Sequence, residues 1–211
     1  MPVAAPLYPV NLIVAGQRCL VVGAGAVAAQ KIRGLLECDA QVHVVATRVG
    51  AEVRSLAGTT VEERPYVAGE VAGYRLAITA TDDPAVNRAV HRDGVAAGVW
   101  VNSADDPTNC DFTLPARVRQ GQLLVTFATG GRSPAVATWL RRRFSDELGP
   151  EYQTLIEVLA EAREAIRAEG RSTEGLDWQG ALDSGMLDLI RNGQLDQAKE
   201  RLQACLSSSS D

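Results

Sequence analysis

A glycine-rich turn between Gly23 and Ala28 carries the spacing that points most directly to chemistry. Its letters, G-A-G-A-V-A, fit the G-x-G-x-x-A pattern of dinucleotide-binding folds. In that pattern Gly23 permits a tight turn, Gly25 lets the backbone approach a pyrophosphate, and the small last residue allows close packing. The amides of Ala26 and Val27 would open a helix whose N-terminal end favours phosphate. We therefore predict dinucleotide binding here, with a purely structural tight turn as the alternative.

The acidic residue that normally accompanies this pattern is missing. An Asp or Glu about 20 positions further on usually binds the ribose hydroxyl at the end of the second strand. This chain has Thr47 and Arg48 there. Thr47 could hydrogen-bond a ribose hydroxyl, whereas Arg48 could stack on adenine, bind a 2′-phosphate or simply be an exposed residue that starts the next helix. This strand therefore leaves the choice between NAD and NADP open.

The elements that must position this turn alternate between strand and helix in the first half of the chain. Apolar residues at helical spacing predict a helix over Val27–Leu36, and Asp83 with Pro84 predicts the start of another. Short apolar runs predict strands at Arg18–Gly23, Gln41–Ala46, Thr60–Glu63, Arg75–Thr81 and Val99–Ser103. Such alternation predicts an α/β fold, a Rossmann-like doubly wound parallel sheet.

The pattern changes after residue 115. Residues Arg117 to Ala128 predict a hairpin, and Ser133 followed by Pro134 predicts the N-cap and first residue of a helix. From Glu151 onward three apolar stripes predict a helical C-terminus, whose thin apolar face we expect to be buried between two subunits. The expected domains are a dinucleotide-binding domain (1–115), a dimerisation and substrate segment (116–148), a helical domain (149–206) and a tail (207–211).

Composition narrows the classes of function. The chain has 211 residues, 46% hydrophobic and 22% charged, with a net charge of -5, which argues against a dedicated nucleic-acid surface. It has neither an apolar run of about 18 residues nor a basic export segment, so we expect no membrane association and a cytoplasmic location. Four scattered cysteines and two histidines, His43 and His91, form no metal-ligand pattern, so no metal site is predicted.

Four stretches together resemble the precorrin-2 dehydrogenase family, which forms the N-terminal module of sirohaem synthases and also occurs free-standing. They lie in the family's order and cover roughly residues 6–148. The stretches are Leu20–Ala28 with Lys31 and Arg33, Ala80–Pro84 with Val86 and Asn87, Val101–Pro107 with Cys110–Phe112 and Pro115, and Thr129–Pro134.

The resemblance implies a homodimer that oxidises precorrin-2 to sirohydrochlorin with NAD+. Some members of the family also insert Fe2+, so a dehydrogenase that is also a sirohydrochlorin ferrochelatase is the alternative, with iron as substrate. A third hypothesis, from another class, is a nucleotide-sensing module without catalysis. That hypothesis gives the Gly130–Pro134 turn no task.

The resemblance also assigns residues to roles. Asp105 occupies the position of the family's general base, after a strand end where ligands of parallel sheets bind. The alternative is that Asp105 or Asp106, the weaker candidate, only caps the turn before Pro107. Thr81 joins Gly23, Gly25, Ala26, Val27, Thr47 and Arg48 as a cofactor residue.

The substrate is a flat ring fringed with carboxylates, so its recognition requires cationic groups and amide donors. Arginines suit bidentate contact with carboxylates, and a twin-glycine turn at a helix start offers backbone N–H groups. The predicted substrate residues are Asn102, Arg117, Arg119, Thr129, Gly130, Gly131, Arg132 and Ser133.

Overall fold

A sheet of five parallel strands organises the first part of the protein. The computed structural model describes residues 6–104 and 106–208. The strands are hydrogen-bonded in the order β3-β2-β1-β4-β5. They are β1 Arg18–Val22, β2 Gln41–Ala46, β3 Thr59–Glu63, β4 Leu76–Thr79 and β5 Trp100–Ser103. All neighbouring pairs are parallel, which confirms the Rossmann-like sheet predicted from the sequence.

Three helices connect these strands: α1 Ala26–Leu36, α2 Ala51–Arg54 and α3 Pro84–Ala97. The Asp83 side chain accepts a hydrogen bond from the Ala85 amide, so Asp83 caps α3 with Pro84 in the first turn, as predicted. A helix here entered the sequence analysis only as the alternative for Arg48, and it begins three residues later, at Ala51. One turn of helix is too short to show a 3.6-residue period.

Both faces of the sheet are buried. In β1, Val21 belongs to one apolar cluster, which includes Ile32 of α1, while Leu20 and Val22 belong to the opposite cluster, which includes Val90 of α3. Alternate residues of a strand point to opposite faces, so helices cover the sheet on both sides. This double cover explains why the strands read as continuous apolar runs.

A second compact unit follows the sheet. Contacts between residues divide the chain into one unit of residues 6–114 with Gly130–Arg132, and another of residues 115–129 with 133–208. The second unit begins with an antiparallel hairpin, β6 Ala116–Gln120 and β7 Leu123–Phe127. Five helices follow: α4 Pro134–Glu147, α5 Glu151–Ala168, α6 Trp178–Asp183, α7 Met186–Arg191 and α8 Leu195–Ser208.

Helices α5 to α8 have an apolar core of their own. Leu155 and Val158 of α5 are buried in one cluster with Met186 of α7 and Leu202 of α8. The expectation that this face needs a second subunit to cover it is therefore wrong, because neighbouring helices of the same chain already bury it. Helix α6, which the sequence did not predict, adds the fully buried Ala181 to the cluster.

The end of the chain also differs from expectation. Helix α8 continues to Ser208, two residues into the segment expected to be a tail. Its apolar residues recur at helical spacing up to the buried Leu206, which holds the last turn against the cluster. Among the described residues, no helix is long and apolar enough to cross a membrane.

Candidate active site

Gly23 brings the turn after β1 against the end of β4. Its φ is +109°, and a Cβ atom at this position would lie 2.3 Å from the carbonyl oxygen of Ala80. The Gly23 amide donates to the Val45 carbonyl at 2.9 Å, which holds the turn to β2 as well. Only glycine satisfies both the positive φ and the close backbone approach, which is the role predicted for it.

Gly25 leaves open space at the start of α1. It is the N-cap residue, with φ -83°, and a Cβ there would meet nothing within 4 Å. No side chain caps the helix, and the first turn contains no acidic residue. The amides of Ala26 and Val27 have no intrahelical acceptor, and Val27 is 46% exposed. This exposed, positively polarised helix end suits a pyrophosphate.

A short segment after β2 is fixed beside the glycine turn. The Gly50 amide donates to the Ala24 carbonyl at 3.0 Å, and a Cβ at Gly50 would lie 2.8 Å from the same oxygen. Thr47 and Arg48 are exposed at the end of β2. Gly50 was not predicted from the sequence, although a glycine soon after a strand that flanks the fingerprint is a signal for close backbone approach.

Glu63, at the end of β3, holds the other side of that segment. Its carboxylate accepts hydrogen bonds from the Arg54 guanidinium at 2.7 Å and from the Val49 amide at 3.3 Å. The Arg54 hydrogen bond, followed by that of the Val49 amide, keeps the pKa of Glu63 below its usual value. This carboxylate is therefore neutralised by its neighbours, although it is the register partner of Ala46 at the end of β2.

Thr81 and Asn87 close the turn after β4. The Thr81 hydroxyl donates to the Asn87 side-chain oxygen at 2.8 Å and accepts from the Asp83 amide at 3.2 Å. The Asn87 amide nitrogen donates back to the Thr81 carbonyl at 3.1 Å. Both side chains thus orient the turn, and direct contact between Thr81 and the cofactor stays a prediction.

The end of β5 is joined to the loop that follows it. The Asn102 side chain is 7% exposed and donates to the Phe112 carbonyl at 2.8 Å. The Ser103 amide donates to the Cys110 sulfur at 3.2 Å. Burial raises the pKa of the Cys110 thiol, which therefore stays protonated and structural. Asn102 positions the loop, and its predicted contact with substrate stays a prediction.

The two aspartates that follow β5 differ. Asp105 lies outside the described residues, so its predicted role as general base stays a prediction. Asp106 caps a 3₁₀ turn, Pro107–Asn109, and accepts from the Thr108 amide at 3.1 Å and the Thr108 hydroxyl at 2.5 Å. The hydroxyl bond is the main reason why the pKa of Asp106 is lowered. Asp106 is thus the cap that the sequence offered as the alternative, and a poor proton acceptor.

The twin-glycine turn, Gly130–Gly131, belongs to the unit that contains the parallel sheet and the glycine-rich turn, called the dinucleotide unit below. Gly130 and Gly131 have φ values of +60° and +73°, and together with the exposed Arg132 they belong to the unit of the parallel sheet. Thr129 and Ser133, on either side, belong to the second unit. The Ser133 amide donates to the Thr129 hydroxyl at 3.2 Å, and the Ser133 hydroxyl caps α4 through the Val136 amide at 3.3 Å.

Arg117 and Arg119 also belong to the second unit. They alternate with the buried Val118 on β6, so both arginines lie on its exposed face. Among the residues that the structure describes, no group of three or more His, Cys, Asp or Glu side chains is arranged to hold a metal ion.

The sheet order and the uncapped glycine turn define a dinucleotide-binding α/β protein. The family model described as "Putative NAD(P)-binding" matches residues 10–116, and the chain belongs to this family. The sirohaem synthase of Nitrosococcus oceani is 34% identical over 203 residues, which are 94% of this chain and 43% of the relative. That of Chromobacterium violaceum is 34% identical over 201 residues, 93% of this chain and 42% of the relative. The chain thus spans less than half the length of the curated relatives it matches.

A solved structure supports the same fold. The protein described as "SirC, precorrin-2 dehydrogenase" matches with a TM-score of 0.72 and 24% identity, over 94% of this chain and all of the other. The relatives confirm the resemblance to sirohaem synthases that the sequence motifs indicated, and the solved structure supports the fold. The roles of individual residues toward the substrate are proposals.

Two glycine substitutions should separate folding from cofactor binding. Gly23→Ala should destabilise the protein by about 2 kcal/mol or more, because its Cβ meets a backbone oxygen at a positive φ. Gly25→Ala should change stability by less than about 1 kcal/mol, since its Cβ meets only open space. The same change should weaken NADH binding at least tenfold. Urea unfolding and NADH fluorescence titration measure both quantities, and equal effects of the two changes on stability would contradict the close approach assigned to Gly23.

The Asp106 cap should fail in acid. Because the folded pKa of Asp106 lies below its unfolded value of about 3.9, its contribution is complete above that value. That contribution is lost as the pH falls through the folded pKa. Hydrogen-exchange protection of the Thr108 amide should follow this course and be low at every pH in Asp106→Ala. Protection that is unchanged in Asp106→Ala would show that the cap does not hold the turn.

Proposed function

We propose that this protein is an NAD-dependent precorrin-2 dehydrogenase that forms sirohydrochlorin in sirohaem or cobalamin biosynthesis. The observation that carries the proposal is the grouping of Gly130–Arg132 with the dinucleotide unit, although the hairpin and helix on either side of it belong to the other unit. This grouping assigns a turn suited to carboxylates to the same unit as the turn suited to pyrophosphate. Relatives called sirohaem synthase, 34% identical over nearly the whole chain, support the same assignment.

The residues at the carboxyl end of the sheet fit a dinucleotide. The space beside Gly25 admits a pyrophosphate, whose oxygens would accept from the Ala26 and Val27 amides. Thr47 and Arg48 would meet the adenosine ribose. When bound, NAD+ supplies the acceptor for a hydride from the substrate. The protein's own task is then to orient both molecules and to receive a proton.

Asp105 is the proposed proton acceptor. Support for this role comes from the residues on either side: the Ala104 amide donates to the Thr79 carbonyl at 2.9 Å, and the Asp106 carboxylate caps the next turn. Asp106 has no such role, because three donors of the 3₁₀ turn already occupy its oxygens. A positioned carboxylate contributes about 10²–10⁴-fold as a general base.

The macrocycle's carboxylates would meet cationic and amide donors. Arg132 is exposed beside Gly131, and Arg117 and Arg119 lie on one face of β6. Guanidinium groups bind carboxylates through paired hydrogen bonds, and the backbone amides at Gly130 add neutral donors. The Thr129 and Ser133 hydroxyls would act mainly by fixing this turn, since each already accepts a backbone amide.

The direct test supplies precorrin-2 and NAD+ to the purified protein. Sirohydrochlorin absorbance should rise together with NADH fluorescence. Asp105→Asn should lower turnover at least about 100-fold while NADH binding stays unchanged, because only the proton acceptor is removed. Asp106→Asn is the matched control, since its amide oxygen still caps the Thr108 amide, and it should keep turnover within about threefold.

Two outcomes of this test would contradict the proposal. Failure of the native protein to reduce NAD+ or NADP+ would exclude the dehydrogenase. Turnover close to that of the native protein in Asp105→Asn would remove Asp105 from proton transfer and leave the overall reaction in place.

The same proposal includes a homodimer built on α4. None of the residues of this 14-residue helix is buried, and one side rests on the hairpin through the Phe127–Phe144 ring pair at 5.3 Å. Val136 and Trp139, one turn apart, are 45% and 57% exposed. An exposed Trp with a neighbouring Val is typical of the buried centre of an interface, and a second copy would cover it.

Replacing Trp139 tests the dimer. Trp139→Glu should convert the dimer to a monomer, because a carboxylate in an apolar interface loses its hydration without a partner. Trp139→Phe should stay dimeric. Light scattering after gel filtration measures the mass of each variant. A native monomer, or a Trp139→Glu dimer, would contradict the assignment of α4 to the interface.

The remaining partners follow from the proposed chemistry. The small-molecule partner is a tetrapyrrole, and the mechanism assigns no step to nucleic acid or to a membrane. We infer a cytoplasmic location, where an NAD-dependent reaction has its cofactor.

A further inference from the structure

We propose that Arg48 binds the 2′-phosphate of NADP, so that this chain accepts NADP+ as well as NAD+. The inference rests on the proposed function, because it concerns the same cofactor site. It makes Arg48 a specificity-determining residue for the adenosine end of the cofactor.

The end of β2 lacks the group that excludes NADP. In NAD-specific sites a carboxylate at this point accepts hydrogen bonds from the ribose hydroxyls, and its charge repels a 2′-phosphate. Here β2 ends at Ala46, and the next two residues are Thr47 and Arg48, both exposed. A hydroxyl and a guanidinium are donors, and a phosphate accepts from both.

The carboxylates nearest in the chain are already paired. Glu63 is the register partner of Ala46, but its oxygens accept from Arg54 and from the Val49 amide. Glu52 of α2 forms an ion pair with Arg33 of α1. Both acidic side chains are thus paired with arginines, and neither stands directly after β2, where an NAD-specific site carries its carboxylate.

Arg48 differs from the arginines around it. Its guanidinium makes no ion pair or hydrogen bond with any part of the chain that the structure describes. Arg33 and Arg54, by contrast, are both held by glutamates. The local charge at the end of β2 is therefore positive, which favours a dianionic phosphate over a neutral hydroxyl.

The backbone around Arg48 is fixed next to the pyrophosphate turn. The amide of Val49 is bonded to Glu63 on the β3 side, and the amide of Gly50 is bonded to Ala24 inside the glycine turn. Arg48 therefore occupies a segment that is anchored at two points and only two residues from a contact with the fingerprint. A phosphate-binding side chain on an anchored segment loses less freedom on binding than one on a mobile loop.

The test compares two probes that differ only at the 2′ position, 2′,5′-ADP and 5′-AMP, by isothermal titration of the native protein. Arg48→Ala should weaken 2′,5′-ADP binding about tenfold to a hundredfold, as expected for loss of a charge-assisted contact, and should change 5′-AMP binding less than about twofold. Raising the salt concentration should weaken the binding of 2′,5′-ADP more than that of 5′-AMP, because the 2′-phosphate adds charge to be screened.

Two further variants complete the design. Arg48→Glu restores a carboxylate and should remove measurable 2′,5′-ADP binding while 5′-AMP still binds. Arg75→Ala is the matched control, because Arg75 is also exposed but precedes β4 at the opposite, amino-terminal edge of the sheet. It should leave both affinities unchanged.

The proposal is overturned if the native protein binds 5′-AMP but not 2′,5′-ADP, or if Arg48→Ala weakens the binding of both probes equally. These outcomes concern binding alone and need no tetrapyrrole. If the native protein binds NADP+ but does not oxidise precorrin-2, the proposed function is contradicted and the role of Arg48 is unaffected.

Discussion

The contact between the turn at Gly23 and the carbonyl of Ala80 is the constraint on which the carboxyl edge of the sheet depends. A side chain at Gly23 would overlap that oxygen, so the ends of β1 and β4 approach only through backbone atoms. Gly50 makes a similar close approach, because a side chain there would overlap the carbonyl oxygen of Ala24. Two backbone-to-backbone approaches thus bring three strand ends around the start of α1. The open space beside Gly25 follows from this arrangement.

Most polar side chains at this edge hold the loops in place. Thr81, Asn87 and Asp106 bond to backbone atoms within their own turns, and Asn102 bonds to the Phe112 carbonyl in the loop that follows β5. Buried or half-buried polar groups need such partners, and satisfying them fixes the loops. Under the proposed function, ligand contacts would fall mainly to backbone amides and to exposed side chains such as Arg48. A site of this kind is preorganised, because its binding amides belong to a fixed helix end.

The second unit combines two kinds of surface. Helices α5 to α8 bury Leu155, Met186 and Leu202 among themselves and need no further cover. Helix α4 buries none of its residues and exposes Trp139 beside Val136. An apolar pair on an otherwise exposed helix costs hydration unless a partner covers it. The unit is therefore stable through one group of helices and open to association through another.

The sequence alone determined the parallel sheet, the glycine turn and most helix starts. These depend on local rules: apolar runs for buried strands, glycine spacing for the turn, and Asp83 or Ser133 as caps. The tertiary structure decided which polar groups remain available. Glu63 meets Arg54 and Asn102 meets Phe112 only after distant segments fold together, and no local pattern encodes those contacts. The tertiary structure also decided that α5 to α8 cover one another. A periodic apolar stripe predicts that a helix face is buried, but it does not predict which neighbour buries it.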